Sequence, residues 1–490
     1  MNSLTLDEDV YKRLKQAFSG GFTHANARYV AICEDILPNH CVENVASYDF
    51  NSSYPAIMVL KKFPMTKFRD VEPPKNKDEL NNYIDHYACL ITVEFIELQS
   101  IKFHEHPLSE SKCFNKGKKI QTDNGRIVYA DSVTTVITEL DLKIYREYYT
   151  AKKTIIHSIK VARKNYLPKQ LITTILELYK NKTSLKGNEK KIVEYFVSKG
   201  MVNACYGMMA TDPVREQFEY NSYLNDFLEC EPEDLNLVIT RFNGNPKRFL
   251  YYAWGIWVTA YARSNLFTGI SECASDYLYS DTDSVKIVNH EKHSAYFQAY
   301  NDAIKEDIKQ VSKYYHIPES DFMPEDEKGK ERIIGVWDFE GVYAEFKSIG
   351  AKRYLVHQKT INDHYLKNNA AKIGVVVKNE NSPLYGYWEL TVAGTNKYSA
   401  MKYMIEESER KGCTPFDLFD DNLIISKESS GRLSVIYIDD PVHAKVKDYL
   451  GNEFEFTELS SVNFEPTAYE LHIGADFAKY LHGIWYDSVI

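Results

Sequence analysis

No apolar run in this 490-residue chain reaches the ~18 residues a membrane-spanning helix needs, so no membrane partner is expected. The opening residues, Met1-Asn2-Ser3-Leu4-Thr5-Leu6-Asp7-Glu8, have neither the basic start nor the apolar core of a secretory signal. Glycine (22) and proline (16) are too scarce for a fibrous or linker-rich protein. No C-x-x-C joins the eight cysteines, Cys33, Cys41, Cys89, Cys113, Cys205, Cys230, Cys273 and Cys413. Without a secretory leader they read as reduced thiols in a cytoplasm. His104, His106 and Cys113 are spaced too loosely for the paired signature of a zinc site. Positive charge is not in excess. Lys and Arg total 59 against 69 Asp and Glu, a net charge of −10. That argues against a purely electrostatic nucleic-acid binder, but not against one that gathers positive charge in a channel.

What is present is an ordinary globular composition, 44% apolar and 26% charged, long enough for roughly three or four domains. Tyrosine dominates the aromatic residues, with 37 against 24 Phe and 5 Trp. No repeat or low-complexity tract is visible. Residues 44–50 read as a strand ending at Asp49, and Pro55 as the first residue of a helix over 56–61. Residues 72–78 read as a surface loop and the β-branched run 88–97 as a strand. Apolar spacing predicts helices over 140–149, 168–182 and 189–206, the last two joined at Gly187-Asn188 as an αα-hairpin. This hairpin is rich in lysine: Lys180, Lys182, Lys186, Lys190, Lys191 and Lys199. Residues 216–234 are the reverse, with seven Asp and Glu and no Lys or Arg. A helix over 254–276 precedes a β-hairpin, Tyr277-Leu278-Tyr279 against 284–288, and 365–490 reads as a β-rich appendage.

Asp281-Thr282-Asp283 occupies the tip of that hairpin. Asp and Thr suit turns through local hydrogen bonds. With Asp49 at another strand end they also meet a second demand. Carboxylates from separate strands can bridge two Mg²⁺ ions, which take oxygen ligands, and ions roughly 3.5–4 Å apart clamp the attacking and leaving oxygens of a phosphoryl displacement. On the 189–206 helix, about 100° per residue puts Lys199, Asn203 and Tyr206 on one arc. An ammonium there can hold a triphosphate beside a ring that packs on a base; the plain alternative is a solvated lysine next to core residues.

Asp49-Phe50-Asn51-Ser52-Ser53-Tyr54-Pro55 resembles the first palm motif of family B DNA polymerases, D-x-x-S-L-Y-P. Lys199-Gly200-Met201-Val202-Asn203-Ala204-Cys205-Tyr206-Gly207 resembles their fingers motif, K-x-x-x-N-S-x-Y-G, and Tyr279-Ser280-Asp281-Thr282-Asp283-Ser284 their second palm motif, Y-x-D-T-D-S. Smaller matches resemble the protein-primed, phage-type branch. Gly20-Gly21-Phe22-Thr23 looks like a template-contacting Y-x-G-G segment with Phe18 in the tyrosine's place. Thr138-Glu139-Leu140-Asp141-Leu142 resembles part of the first terminal-protein region, Thr259-Ala260-Tyr261-Ala262-Arg263 the helix before the second palm motif, and Lys352-Arg353-Tyr354 the primer-gripping K-x-Y motif. Ser53 and Ala204-Cys205 depart from the consensus at positions that supply no ligand.

The resemblance implies an α+β right-hand polymerase of palm, fingers and thumb with two insertions. The division it suggests is an N-terminal segment (1–43), palm (44–111), first terminal-protein-like insertion (112–167), fingers hairpin (168–208), acidic second insertion (209–250), palm (251–390), and thumb with tail (391–490). It implies DNA-directed DNA synthesis from dNTPs on primer–template DNA. Asp49 and Asp283 would hold two Mg²⁺ (or Mn²⁺) ions with the Phe50 carbonyl, and Asp281 would assist. Lys199, with Lys191 as a weaker candidate, would contact the triphosphate. Tyr54 would exclude the ribose 2′-hydroxyl, which distinguishes RNA from DNA. Asn203 and Tyr206 would contact the nascent pair, Gly20 and Gly21 the template, and Lys352 and Tyr354 the primer. With 17 residues ahead of Phe18, no 3′–5′ exonuclease domain is expected. The resemblance implies a terminal priming protein as partner, in a host cytoplasm, and the exonuclease is then a separate subunit, was lost, or was cut from this chain. A catalytic subunit that works only with such a partner, and a non-catalytic DNA-binding scaffold, are the alternatives. The acidic stretch would be repelled by phosphate, which argues against strand displacement and high processivity; docking a basic partner, or a solvated loop, are its other readings.

Overall fold

The computed structural model describes residues 4–30, 41–101, 105–221, 226–361, 373–420, 422–438, 444–447, 451–456 and 461–489. Eight strands form one antiparallel sheet in the spatial order Thr23–Ala25, Tyr277–Asp281, Ser284–Ile287, Val42–Phe50, Trp337–Gly350, Arg353–Gln358, Gly386–Val392 and Val375–Val377. Residues far apart in sequence therefore become neighbours. Ser284 pairs with Asp49, Asp281 with Thr23, and Asp338 with Asp49 from the other side. A second antiparallel sheet is built mainly from the long strands Tyr87–Ser100, Arg126–Thr138 and Tyr149–Asn165. The division expected at 111/112 falls between strands of this single sheet, and the one expected at 390/391 falls within strand Gly386–Val392.

Helix Tyr252–Cys273 packs against strand Ser284–Ile287 on one side and helix Glu139–Tyr148 on another. Sixteen of its residues are buried, Trp254 and Trp257 completely, and each such side chain is worth roughly 1.5–3 kcal/mol. The apolar composition all round marks it as a core helix. Its polar residues are satisfied by the helix that follows Thr138. The Trp257 indole N–H donates to Glu139 (3.0 Å), and Arg263 grips Asp141 with two nitrogens (2.8 and 3.1 Å). Thr138 caps its helix by accepting from the Asp141 N–H (3.2 Å). The T-E-L-D-L run is thus wired into the centre of the molecule.

The helical hairpin forms as expected, as Lys169–Ser184 and Ile192–Met209 with a 3₁₀ turn, Glu189–Lys191, between them. Other expectations need correction. The helix placed at 56–61 spans Ser53–Leu60, so Pro55 lies inside its first turn; Ser52, in the left-handed region at φ 59°, precedes it. Lys77 and Asp78, read as loop, begin helix Lys77–His86 because the Asn76 side chain accepts from the Glu79 N–H and caps it. The segment 365–490 is β-rich, with strand pairs such as Arg432–Ile438 with Ser461–Thr467 and Ala444–Lys447 with Glu453–Phe456, but it is not an appendage. Strands Val375–Val377 and Gly386–Val392 belong to the eight-stranded sheet, and helices Lys397–Lys411 and Ala475–Val489 follow. Met401, Met404 and Ile405 of the first of these close a core with Leu355, Leu390 and Val392. The acidic stretch folds into a small hairpin, Phe218–Asn221 with Asp226–Glu229, before helix Leu235–Gly244.

Candidate active site

Asp49 is the penultimate residue of strand Val42–Phe50, and Asp283 completes the two-residue loop between Asp281 and Ser284. Backbone bonds lock the two together: the Phe50 N–H donates to the Asp283 carbonyl (2.9 Å), and the Asp283 N–H to the Asp281 carbonyl (2.6 Å). The chain leaves Asp49 through a second tie, the Gly335 N–H donating to the Asn51 carbonyl (2.7 Å). Gly335, at φ 81°, is required there, since a Cβ would stand 2.7 Å from that of Ala56. Thr282 at the hairpin tip takes φ 58°, a strained setting for a β-branched residue.

The carboxylates of Asp49 and Asp283 are half-buried, and the ammonium groups that act on them, Lys286 and Lys186 on Asp49 and Lys199 on Asp283, make no ion pair with them. Neither carboxylate has an ion pair within 4 Å among the described residues, whereas Asp281 and Glu340 each have one and Asp338 has two. Burial, with the charges of Asp283 and Glu340, pushes the Asp49 carboxyl well above the ordinary range. Burial and Asp281 push up that of Asp283, against the pull of its own N–H and of Lys199. Such a pair fits a divalent cation. Mg²⁺ is usually held by one or two carboxylates plus substrate phosphates rather than by a complete protein cage, and no cluster of three or more metal-ligating side chains occurs among the described residues. His106 lies instead 3.6 Å from Asp123 and Cys113 donates to the Ser109 carbonyl, while His104 is outside the described residues.

The fingers-like hairpin leans over these carboxylates. Lys199 and Asn203 are exposed on helix Ile192–Met209, and the ring of Tyr206 packs 4.5 Å, centroid to centroid, from that of Tyr54. Tyr54, in the first turn after Asp49, lies close enough to Asp283 for that charge to raise its phenol pKa, after burial. Lys191 stands at the N-cap of the helix and is not among the charges that act most strongly on either carboxylate. In its place the structure brings two residues that sequence reasoning noted only as part of a lysine-rich segment. The Lys182 ammonium donates to the Ser52 hydroxyl (2.7 Å) beside Asp49. Burial, then repulsion from Lys186 and Lys199, pushes it down to about 8. Lys186 acts on Asp49. The run of lysines that continues past the end of the helix at Ser184 was the available signal. Three ammonium groups converging on one place call for a polyanion.

Gly20 faces open space, but Gly21 lies under the side chain of Thr282, where a Cβ would come within 2.8 Å. Arg263 donates to the carbonyls of Ser19 and Gly20 and so ties this segment to the central helix. Lys352, half exposed, reaches within 3.5 Å of Asp281. Its backbone N–H donates to the Tyr279 hydroxyl (3.0 Å). Tyr354 stacks on Phe346 (5.3 Å) and meets Tyr279 edge-on (5.1 Å), behind the D-T-D hairpin.

Residues 2–234 match the family model described as DNA polymerase type B, organellar and viral. The chain is 25% identical over 283 residues to the DNA polymerase of Bacillus phage B103, covering 57% of this chain and 43% of that protein. It is 26% identical over 290 residues to that of Bacillus phage phi29, covering 59% and 44%. Among solved structures, Phi29 DNA polymerase complexed with primer-template DNA and incoming nucleotide substrates superposes with a TM-score of 0.56 at 16% identity, covering 95% of this chain and 63% of that one. The complex with single-stranded DNA gives 0.54 at 17%. The fold is therefore that of a right-hand polymerase. The match takes in under half the length of the curated relatives.

Proposed function

We propose that this chain is a DNA-directed DNA polymerase of the phage type, which adds dNTPs to a primer 3′-hydroxyl and works in a host cytoplasm. The observation that carries the reading is the pair of half-buried carboxylates without an ion-pair partner among the described residues, Asp49 and Asp283, faced by Lys182, Lys186 and Lys199. One face attracts divalent cations and the other a triphosphate. Two Mg²⁺ ions, when bound, would lower the pKa of the attacking hydroxyl and neutralise charge on the leaving group. Asp49 and Asp283 would hold them, with the Phe50 carbonyl as a further ligand. The three lysines bind and orient the triphosphate so that the primer oxygen meets the α-phosphorus in line, and they compensate the charge that gathers on pyrophosphate. Lys191 is the outer member of that basic surface. Tyr54, braced by Tyr206, closes the space a ribose 2′-hydroxyl would need. Asn203 and Tyr206 face the nascent base pair, Gly20 and Gly21 pass the template, and Lys352 and Tyr354 hold the primer strand. Template choice then comes from base pairing, and the side chains read only shape and phosphate.

Palm, fingers and thumb correspond to the eight-stranded sheet, the 169–209 hairpin and the region after 391. We assign residues 112–167 to contact with a terminal priming protein, and we take an exonuclease subunit as a further partner of the same replication machinery. The test is primer extension with Mg²⁺ on a singly primed DNA template. Wild type extends, while Asp49→Ala and Asp283→Ala, folded by thermal melting, do not. Extension that survives either substitution overturns the metal assignment. Priming is tested by deoxynucleotidylation of a purified candidate terminal protein, and failure there refutes that assignment alone.

A further inference from the structure

The carboxylate of Asp281 takes no part in the half-buried pair, and it is held by three donors. The Thr23 hydroxyl donates to its Oδ1 at 2.7 Å, the Thr282 hydroxyl to the same oxygen at 3.1 Å, and Lys352 Nζ stands 3.5 Å from Oδ2. Thr23 comes from a different part of the chain, on an edge strand fixed on both sides. Upstream, Arg263 holds the Ser19 and Gly20 carbonyls and Gly21 is pressed under Thr282. The Phe22 carbonyl accepts from the Thr282 N–H at 2.7 Å. Downstream, His24 is fully buried between Glu105 and Asp123, the latter at 2.8 Å. Two buried carboxylates around one imidazole keep it charged, so the anchor is ionic as well as packed. Thr23 cannot drift from Asp281 without breaking that cluster.

We propose that Thr23 is a positioning residue that sets how tightly Asp281 holds Lys352, and so how readily Lys352 leaves it for a phosphate of bound DNA. This rests on the polymerase reading above. The Thr23 hydroxyl shares the charge of Asp281. Without it the carboxylate turns more of its charge on Lys352, the one cation among its three partners. Lys352 is 52% exposed and extends from a backbone in the left-handed region (φ 55°), so the contact available to it is with an incoming polyanion or with Asp281.

The test is binding of a fluorescent primer–template duplex by anisotropy, without dNTP, between about 50 and 200 mM salt. The proteins are wild type, Thr23→Val, Thr23→Ser, Lys352→Ala and the double variant Thr23→Val/Lys352→Ala. Losing one phosphate contact reduces the slope of log K against log salt by about 0.7–0.9. Lys352→Ala and Thr23→Val should each show that reduction, with affinity about fivefold weaker at the higher salt. Thr23→Ser should behave as wild type, and the double variant as Lys352→Ala alone. In extension assays Thr23→Val raises KM for the duplex and leaves KM for dNTP unchanged. A wild-type slope in Thr23→Val, or additive losses in the double variant, overturns the proposal. Should Thr23→Val fail to fold, Asp281→Asn decides: it removes the competing charge and must strengthen duplex binding, and weaker binding refutes the relay. Wild type that binds the duplex but never extends it overturns the activity reading alone, and the slopes still decide this one.

Discussion

Raising the pH without divalent cation should loosen the protein at its centre, and a single substitution should remove much of the effect. Burial, with Asp283 and Glu340, pushes Asp49 up to about 8, and burial with Asp281 pushes Asp283 up to about 6. In the unfolded chain both lose their protons near 4. Between these values the folded state keeps protons that the unfolded state has released, so stability is full below about 4 and is lost as pH rises through the folded values. Each tenfold change in proton affinity is worth ~1.4 kcal/mol, which makes the share of Asp283 about 3 kcal/mol. An unfolding entropy of ~2.1 cal/mol/K per residue over 490 residues gives about 1 kcal/mol/K. The corresponding change in Tm is therefore about 3 °C. The assay is thermal melting in EDTA from about pH 4 to 8, wild type beside Asp283→Asn. The variant should match wild type at the acid end and melt about 3 °C higher at the alkaline end. Millimolar Mg²⁺ should raise the wild-type Tm more at the alkaline end than at the acid end, and should do so far less in the variant. A constant Tm difference between the two proteins across the range would falsify the view that these carboxylates repel in a half-buried cation site.

Four further outcomes are expected. Tyr54→Ala should admit ribonucleotides, lowering the dNTP over rNTP preference in single-nucleotide extension by roughly 10–100-fold, the worth of one pocket contact. Lys182→Met keeps the stem but removes the ammonium from beside Ser52, and should raise KM for dNTP about tenfold with little change in duplex binding. Gly21→Ala drives a methyl group into Thr282 and should cost about 1–3 kcal/mol in denaturant unfolding while distorting the D-T-D turn, seen as lost extension. Asp141→Asn leaves Arg263 buried without its partner charge, which should cost about 3–5 kcal/mol by the same measurement.

The local elements and the candidate site residues were legible in the chain. Alternation and β-branched runs mark strands such as Tyr87–Ser100, and apolar spacing marks both helices of the lysine-rich hairpin, because those signals are short-range consequences of side-chain direction. The D-x-x-S-x-Y-P, K-x-x-x-N and D-T-D runs name Asp49, Lys199 and Asp283 directly. Where local signals compete, the reading slips. Pro55 suggested a helix start two residues late because the left-handed Ser52 has no sequence mark of its own, and the segment after 365 looked like an appendage because alternation marks its strands but not that Val375–Val377 and Gly386–Val392 join the sheet that begins at Thr23. What only the tertiary structure decided is which charges meet. Strand pairing sets Asp49 beside Ser284, and helix packing brings Lys182 and Lys186 in place of Lys191. An edge strand near the N-terminus delivers Thr23 to Asp281. Those contacts join residues up to 258 positions apart, and their energies depend on burial and on neighbouring charge. Burial and charge are properties of the assembled core, and no stretch of sequence carries them alone.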